Sequence, residues 1–163
     1  MKYIKELMPY ILIVAAVVLI RTFIFTPIKV QGTSMVDTLS GDEVMFLWKF
    51  TSINRYDIVV ADYLENGKKV DTLIKRVYGL PGETIKCENG SIYINDHKIE
   101  DEYATNETYD FEAVTLKDGE YFLMGDNRKI SKDSRIIGPI KKEQIQGTTD
   151  FIVWPFNKFG KVK

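Results

Sequence analysis

The sequence predicts a mainly β protein, an antiparallel β-barrel or sheet domain preceded by one N-terminal transmembrane helix. Three observations carry this. The first thirty residues, "MKYIKELMPYILIVAAVVLIRTFIFTPIKV", are dominated by apolar side chains. The rest shows short β-branched and aromatic runs, spaced by roughly ten residues and broken by turn dipeptides. The length of 163 residues accommodates one span plus one domain of about 100 to 150 residues.

The helix comes first. Leu7 to Ile20 carries no charge, and beyond Arg21 the apolar character resumes as "TFIF". Taken as one element, Leu7–Phe25 gives 19 residues, roughly 28 Å at about 1.5 Å per residue. Arg21 lies near one end, where a guanidinium can reach the interface, and Pro9 is expected in the first turn. A cleaved leader is disfavoured because "IRTFIFTP" offers no small-x-small site. An uncleaved membrane anchor is the expectation, with residues 1–28 as cytoplasmic tip and span. Lys2 and Lys5 favour an N-terminus inside, which places residues 29–163 outside the cytoplasm.

The strands follow in order. "EVMFLWKF" and "YDIVVADYL" are joined by "TSINR", and "TLIKRVYGL" is stopped by "LPGE". "ETIKCENGSIYINDHKIED" reads as consecutive hairpins turning at Asn89-Gly90 and Asn95-Asp96. "EYFLMGDN" is a strand entering a turn, "KKEQIQG" one helical turn, and "FIVWPF" a late strand limited by Pro155.

Composition removes several functions. The net charge is -1; setting aside Lys2, Lys5, Arg21 and Glu6, residues 29–163 hold 19 basic and 22 acidic groups. That balance is no footprint for nucleic acid. Cys87 has no partner for an internal disulfide, and one Cys with one His excludes a Cys/His zinc site. Composition does not exclude carboxylate-based metal binding, but no EF-hand-like spacing appears; no metal site and no cofactor are expected.

The chemistry centres on Ser34 in "VQGTSMVDTL". Its base is not histidine: His97, the only one, sits in the polar turn "NDHKIE". A serine–lysine dyad is the main remaining option. In "DTLIKRVYGLPGE", strand alternation puts Leu73, Lys75 and Val77 on one face and Ile74 and Arg76 on the other. On an inward face Lys75 would be desolvated, lowering its pKa by up to about 3 to 5 units. Taken alone it reads as one more solvated lysine. "GDNRKISKDSRIIGPI" supplies two aspartates, two arginines, and the hydroxyls of Ser131 and Ser134. By itself it is an ordered polar loop.

Together, "GTSMVDTL", "RYDIVV", "IKRVYGLPGE" and "GDNRKISKDSRIIGPI" stand in the order and composition of the motif boxes of bacterial type I signal peptidases. The chain resembles that family from the anchor to about residue 140, in its compact Gram-positive form. The resemblance implies a β catalytic domain with a small β cap, here about residues 81–120, and removal of signal peptides from preproteins at the bilayer. It implies Ser34 as nucleophile, with Met35 beside the substrate pockets, and Lys75 as general base with Arg76 as its strand neighbour. Ser131 would orient the lysine, and Asp126, Arg128, Asp133 and Arg135 would form the charged scaffold. Two departures stand out. Asp37 occupies a position where many members have proline, and Gly32 one where some have an oxyanion-stabilising serine. The oxyanion would then rely on the Ser34 N–H, with water or a Gly32-region amide. Two rival readings remain: a Ser/Lys self-cleaving repressor-type domain, which lacks its DNA-binding module here, and a silent membrane-anchored binding module.

Overall fold

The structure, a computed structural model, describes residues 2–23 and 25–162. Helix α1 spans Lys2–Phe23 and strand β1, Phe25–Lys29, follows at once. The helix expected over Leu7–Phe25 is therefore corrected at both ends, with Ile24 outside the described residues. Phe25 belongs to a sheet, paired with Trp48. The reason is local: Pro27 disfavours helical geometry in the residue before it, and Thr26 and Ile28 are β-branched. Pro9 lies inside the helix, beyond its first turn. Among the described residues no helix is long and apolar enough to cross a membrane. Charges at Lys5, Glu6 and Arg21 leave an uncharged run, Leu7–Ile20, of 14 residues, about 21 Å at about 1.5 Å per residue.

The strands are β2 (Val44–Trp48), β3 (Ile58–Glu65), β4 (Lys68–Gly79), β5 (Thr84–Glu88), β6 (Ser91–Ile94), β7 (His97–Lys98), β8 (Phe111–Thr115), β9 (Glu120–Met124), β10 (Ile140–Lys141), β11 (Ile145–Thr148), β12 (Phe151–Trp154) and β13 (Gly160–Lys161). The larger sheet runs β10-β9-β4-β3-β11-β2-β12-β13, with β1 also on β2; the smaller runs β7-β6-β5-β8. The ladders of β4, with β3 and β9, are antiparallel, as the short alternating runs require. The smaller sheet occupies residues 84–115, and β1 belongs to the larger sheet although it begins before residue 29.

The turns at Asn89-Gly90 and Asn95-Asp96 have positive φ at both positions, the geometry that short hairpins select. Asn66-Gly67 does the same (φ 51° and 75°) and closes the β3–β4 hairpin, a turn the sequence reading did not single out. Lys142–Gln144 forms one 3-10 turn. The polar loop expected at "SKDSR" contains a four-residue helix, α2 (Ser134–Ile137), capped by the Asp133 carboxylate on the Arg135 N–H.

Three apolar clusters hold these layers together. Tyr78, Phe122 and Met124 from the larger sheet pack on Ile85, Cys87, Ile92 and Ile94 of the smaller. Val59, Ala61, Val77 and Leu123 cover the opposite face with Ile140. Val30, Met35, Leu39 and Met45 close the end near β1 with Ile58 and Ile152. Phe122 is fully buried and its ring stacks on Phe111 at 5.3 Å, joining the two sheets. Phe122→Ala should therefore destabilise the protein by about 3–5 kcal/mol. Denaturant unfolding of the two proteins compared side by side checks this; a midpoint unchanged within error would place the inter-sheet adhesion elsewhere.

Candidate active site

Ser34 is fixed from both sides. The next residue, Met35, is 2 % exposed and anchors the segment in the core with Leu39. The Leu39 N–H donates to the Met35 carbonyl at 2.7 Å, making one tight turn. Met35 is thus a core residue rather than part of the cleft surface. On the other side, the Ser34 carbonyl accepts the Asn127 N–H at 3.0 Å. Thr38, four residues on, donates its hydroxyl to Asp126 Oδ2 at 2.5 Å.

Lys75 comes from the middle of β4, where both neighbours on its face, Leu73 and Val77, are buried. It is itself only 4 % exposed, and its Nζ lies 2.6 Å from Ser34 Oγ. A second hydrogen bond goes to the Ile74 carbonyl at 3.1 Å. Burial pushes the Lys75 pKa below its ordinary value; Asp133, Asp71 and Asp126 oppose that shift and Arg135 adds to it.

The opposite face of β4 carries Arg76, also 4 % exposed. Its guanidinium makes a two-pronged pair with Asp126 at 3.0 and 2.8 Å and donates to the Tyr56 carbonyl. The Tyr103 ring lies under it at 3.7 Å. Arg128 donates Nε–H to the Gly125 carbonyl at 2.9 Å and pairs with Asp101, Thr108 and the Tyr78 hydroxyl. Asp133 accepts the Gly125 N–H and two Arg135 donors, each at 2.8 to 2.9 Å. Burial raises the Asp133 pKa, but Arg135 and the Gly125 N–H outweigh it and hold the carboxyl below its usual range.

Ser131 is buried, and its Oγ makes no hydrogen bond among the described residues. Its proximity favours the Asp133 carboxylate without hydrogen-bond geometry, and no bond joins it to Lys75. Its place is nevertheless tight: a Cβ on Gly125 would fall 2.2 Å from Ser131 Oγ and 2.6 Å from the Ser34 carbonyl oxygen. Glycine is required there for three segments to meet.

The dyad opens on a cleft of about 380 Å³ lined by Gly32, Ser34, Asp71, Leu73, Lys75 and Ile130. Gly32 has φ +86°, and a Cβ there would meet nothing within 4 Å, so the missing side chain leaves open space. Asp37 is exposed and follows a cis peptide bond. A cavity of about 460 Å³ on the Arg76 side, lined in part by Tyr56, Tyr103 and Thr149, holds no nucleophile–base pair. His97 is exposed on β7, at an edge of the smaller sheet. Among the described residues no group of three or more His, Cys, Asp or Glu side chains is placed to hold a metal ion.

The structure thus joins Ser34 to Lys75 and ties Arg76, Asp126, Arg128, Asp133 and Arg135 into the scaffold behind them. Sequence reasoning missed Thr38, Asp101 and Tyr103. Thr38 had a signal, since its hydroxyl lies one turn from Ser34; Asp101 and Tyr103 had none, being brought in by the smaller sheet.

Comparison with known proteins identifies the family. The profile described as "Signal peptidase, peptidase S26" matches residues 2–154. Signal peptidase I S of Bacillus subtilis is 40 % identical over 93 % of this chain and 89 % of its own length. Signal peptidase I of Bacillus licheniformis is 37 % identical over 93 % and 88 %. A crystal structure of a signal peptidase I from Enterococcus faecalis superposes with TM-score 0.52 at 30 % identity, covering 61 % of this chain and 97 % of that one. The chain belongs to the signal peptidase family, peptidase S26.

Proposed function

We propose that this protein is a membrane-anchored serine endopeptidase that removes N-terminal signal peptides from exported preproteins, with Ser34 as nucleophile and Lys75 as general base. One observation carries the reading: a serine hydroxyl 2.6 Å from a desolvated lysine amine, at an open seam between strand edges. β9 pairs with β4 only over Arg76–Gly79, so Lys68–Lys75 keeps one unpaired edge among the described residues. Among the described residues β1 pairs with β2 alone. Residues 28–34 and 69–75 line two adjoining clefts that share Gln31, Asp71, Thr72 and Ile74. An extended substrate adds as a strand along such edges, so alternate side chains are read, and the family resemblance implies Ala-x-Ala-like sites.

The chemistry follows from the proton inventory. Neutral Lys75 keeps one N–H on the Ile74 carbonyl and turns its lone pair to the Ser34 hydroxyl. It takes that proton as Oγ attacks the scissile carbonyl carbon. The developing oxyanion meets the Ser34 N–H and the open Gly32 region. Lys75 then protonates the leaving amine, and the C–N bond breaks to give an ester on Ser34. Water loses a proton to the Lys75 amine and attacks the ester carbonyl; the C–Oγ bond breaks, Lys75 returns that proton to Ser34 Oγ, and the signal peptide leaves with a free C-terminal carboxyl group, which ionises. Gly125 packing on Ser131 and Ser34 sets the approach, and no cofactor takes part.

The anchor reading rests on α1. Leu7, Ile11, Leu12, Val14, Val18 and Leu19 are all exposed and join none of the apolar clusters of the β domain. Lipid is the solvent that suits them, with Arg21 reaching the interface. Lys2 and Lys5 favour a cytoplasmic N-terminus, with the β domain then outside.

Ser34→Ala and Lys75→Ala should each lower kcat/KM on an Ala-x-Ala peptide by at least about a thousandfold, with unfolding midpoints preserved. Lys75→Arg should be equally inactive, because a guanidinium stays protonated; substantial turnover in it would sink Lys75 as base.

Activity should rise with pH as Lys75 loses its proton, through a pKa below the ordinary lysine value. Asp71 holds that pKa up, so Asp71→Asn should move the rising limb to lower pH. A pH–rate profile of both proteins decides it; a shift to higher pH would contradict the electrostatic account.

Trp154 is 52 % exposed beside the exposed Phe156, a suitable interfacial pair. In liposomes, brominated lipid should quench Trp154 in a Trp48→Phe protein. No quenching would remove this patch from the membrane surface.

A further inference from the structure

The turn that follows the Ser34 segment is built round a buried carboxylate. Glu43 is 1 % exposed. Its Oε1 accepts the Ser40 N–H at 3.0 Å and the Ser40 hydroxyl at 2.5 Å. Its Oε2 accepts the N–H groups of Gly41 and Asp42 at 2.9 and 3.2 Å. The fifth donor arrives from the far end of the chain: Lys158 Nζ lies 2.7 Å from Oε1 and 2.5 Å from Ser40 Oγ. Burial by itself raises the Glu43 pKa, but Lys158 and Ser40 outweigh it and bring the value to about 2.

Topology explains how Lys158 reaches this point. β12 runs antiparallel to β2, with Trp154 opposite Val44. The chain then turns at Pro155 into a 3-10 turn, Phe156–Lys158, and its last side chain returns over Glu43, the residue before Val44. Lys158 lies beyond the residues matched by the family profile, which end at 154.

What the turn holds is the near wall of the dyad cleft. The Val30 N–H donates to the Glu43 carbonyl at 2.8 Å. Gly41, at φ +94°, sits so close to Gly32 that a Cβ would fall 2.7 Å from the Gly32 carbonyl oxygen. Gln31, Gly32 and Thr33 line the cleft on their other side. A charge-assisted contact is among the stronger hydrogen bonds, and a buried carboxylate that loses a partner is costly.

We propose that Lys158 is a positioning residue: through the buried Glu43 carboxylate it locks the Ser40–Glu43 turn, which fixes the Gln31–Thr33 wall against which substrate lies. This rests on the reading of the Ser34–Lys75 cleft as the peptidase site. Lys158 touches neither Ser34 nor Lys75 in the hydrogen bonds described, so its loss should weaken substrate binding more than proton transfer.

The test uses the full chain in detergent micelles, with Lys158→Met, Lys158→Arg and Ser34→Ala beside the wild type. An Ala-x-Ala peptide gives kcat and KM, and hydrogen exchange follows residues 28–43. Lys158→Met should raise KM about tenfold, the scale of one charge-assisted hydrogen bond, with kcat falling much less. Exchange at residues 30–33 should quicken, and Lys158→Arg should restore both. Unchanged exchange overturns the clamp whatever the activity. Faster exchange with unchanged KM overturns its role toward substrate, and equal impairment of Lys158→Arg and Lys158→Met overturns the ionic contact. If Ser34→Ala cleaves as well as wild type, the site reading fails and takes the proposal with it, an outcome distinguishable from the others by that control alone.

Discussion

Everything around the dyad depends on one buried ion pair, Arg76 with Asp126. Both side chains are nearly or wholly inaccessible, at 4 % and 0 %, so neither charge is tolerable without the other. Removing one partner of such a pair typically costs about 3–5 kcal/mol, because the survivor stays buried and unpaired. The pair does more than balance charge. Its arginine adjoins Lys75 on β4, and its aspartate also accepts from Thr38, within the Ser34 turn. Ser34 and Lys75, far apart in sequence, are thus referred to one rigid contact. The same loop brings the Asn127 N–H to the Ser34 carbonyl.

Alternation along β4 then separates two tasks. One face buries an amine among apolar residues and so favours its neutral form; the other buries guanidinium and carboxylate as a matched pair. Because successive side chains point to opposite faces, adjacent residues occupy different electrostatic environments. Asp133 is held as a carboxylate against its burial by the Arg135 contact and the Gly125 N–H. Its charge opposes the desolvation of Lys75, which keeps the amine's pKa from falling as far as burial alone would take it.

Much of this was legible in the sequence. Strand runs and hairpin dipeptides located most of the β elements, and the four motif stretches brought out the residues that the fold draws together. What was not legible has physical causes. Phe25, the first residue of β1, was read as the end of the helix and the strand itself was not foreseen, since an apolar run has no marked end until Pro27 and the pairing with β2 are considered. α2 was missed because four residues cannot show helical periodicity, and only the Asp133 cap marks it. Asp101 and Tyr103 reach the scaffold through tertiary approach of the smaller sheet, which no local pattern encodes. Ser131, expected on the lysine, instead packs on Gly125, a placement set by contact between three loops.

Among the described residues β1 and the Lys68–Lys75 part of β4 each keep an unpaired edge, and on the proposed function this has a consequence in time. A ligand that completes a sheet must arrive as bare, extended backbone, with its amides and carbonyls not yet engaged. Once the chain downstream of a cleavage site has folded tightly up to that site, those groups are spent and the seam no longer accepts them. Processing on this reading belongs to the interval between emergence from the membrane and completion of folding. The open seam therefore acts as a clock as well as a binding site, since the enzyme competes with its substrate's own folding.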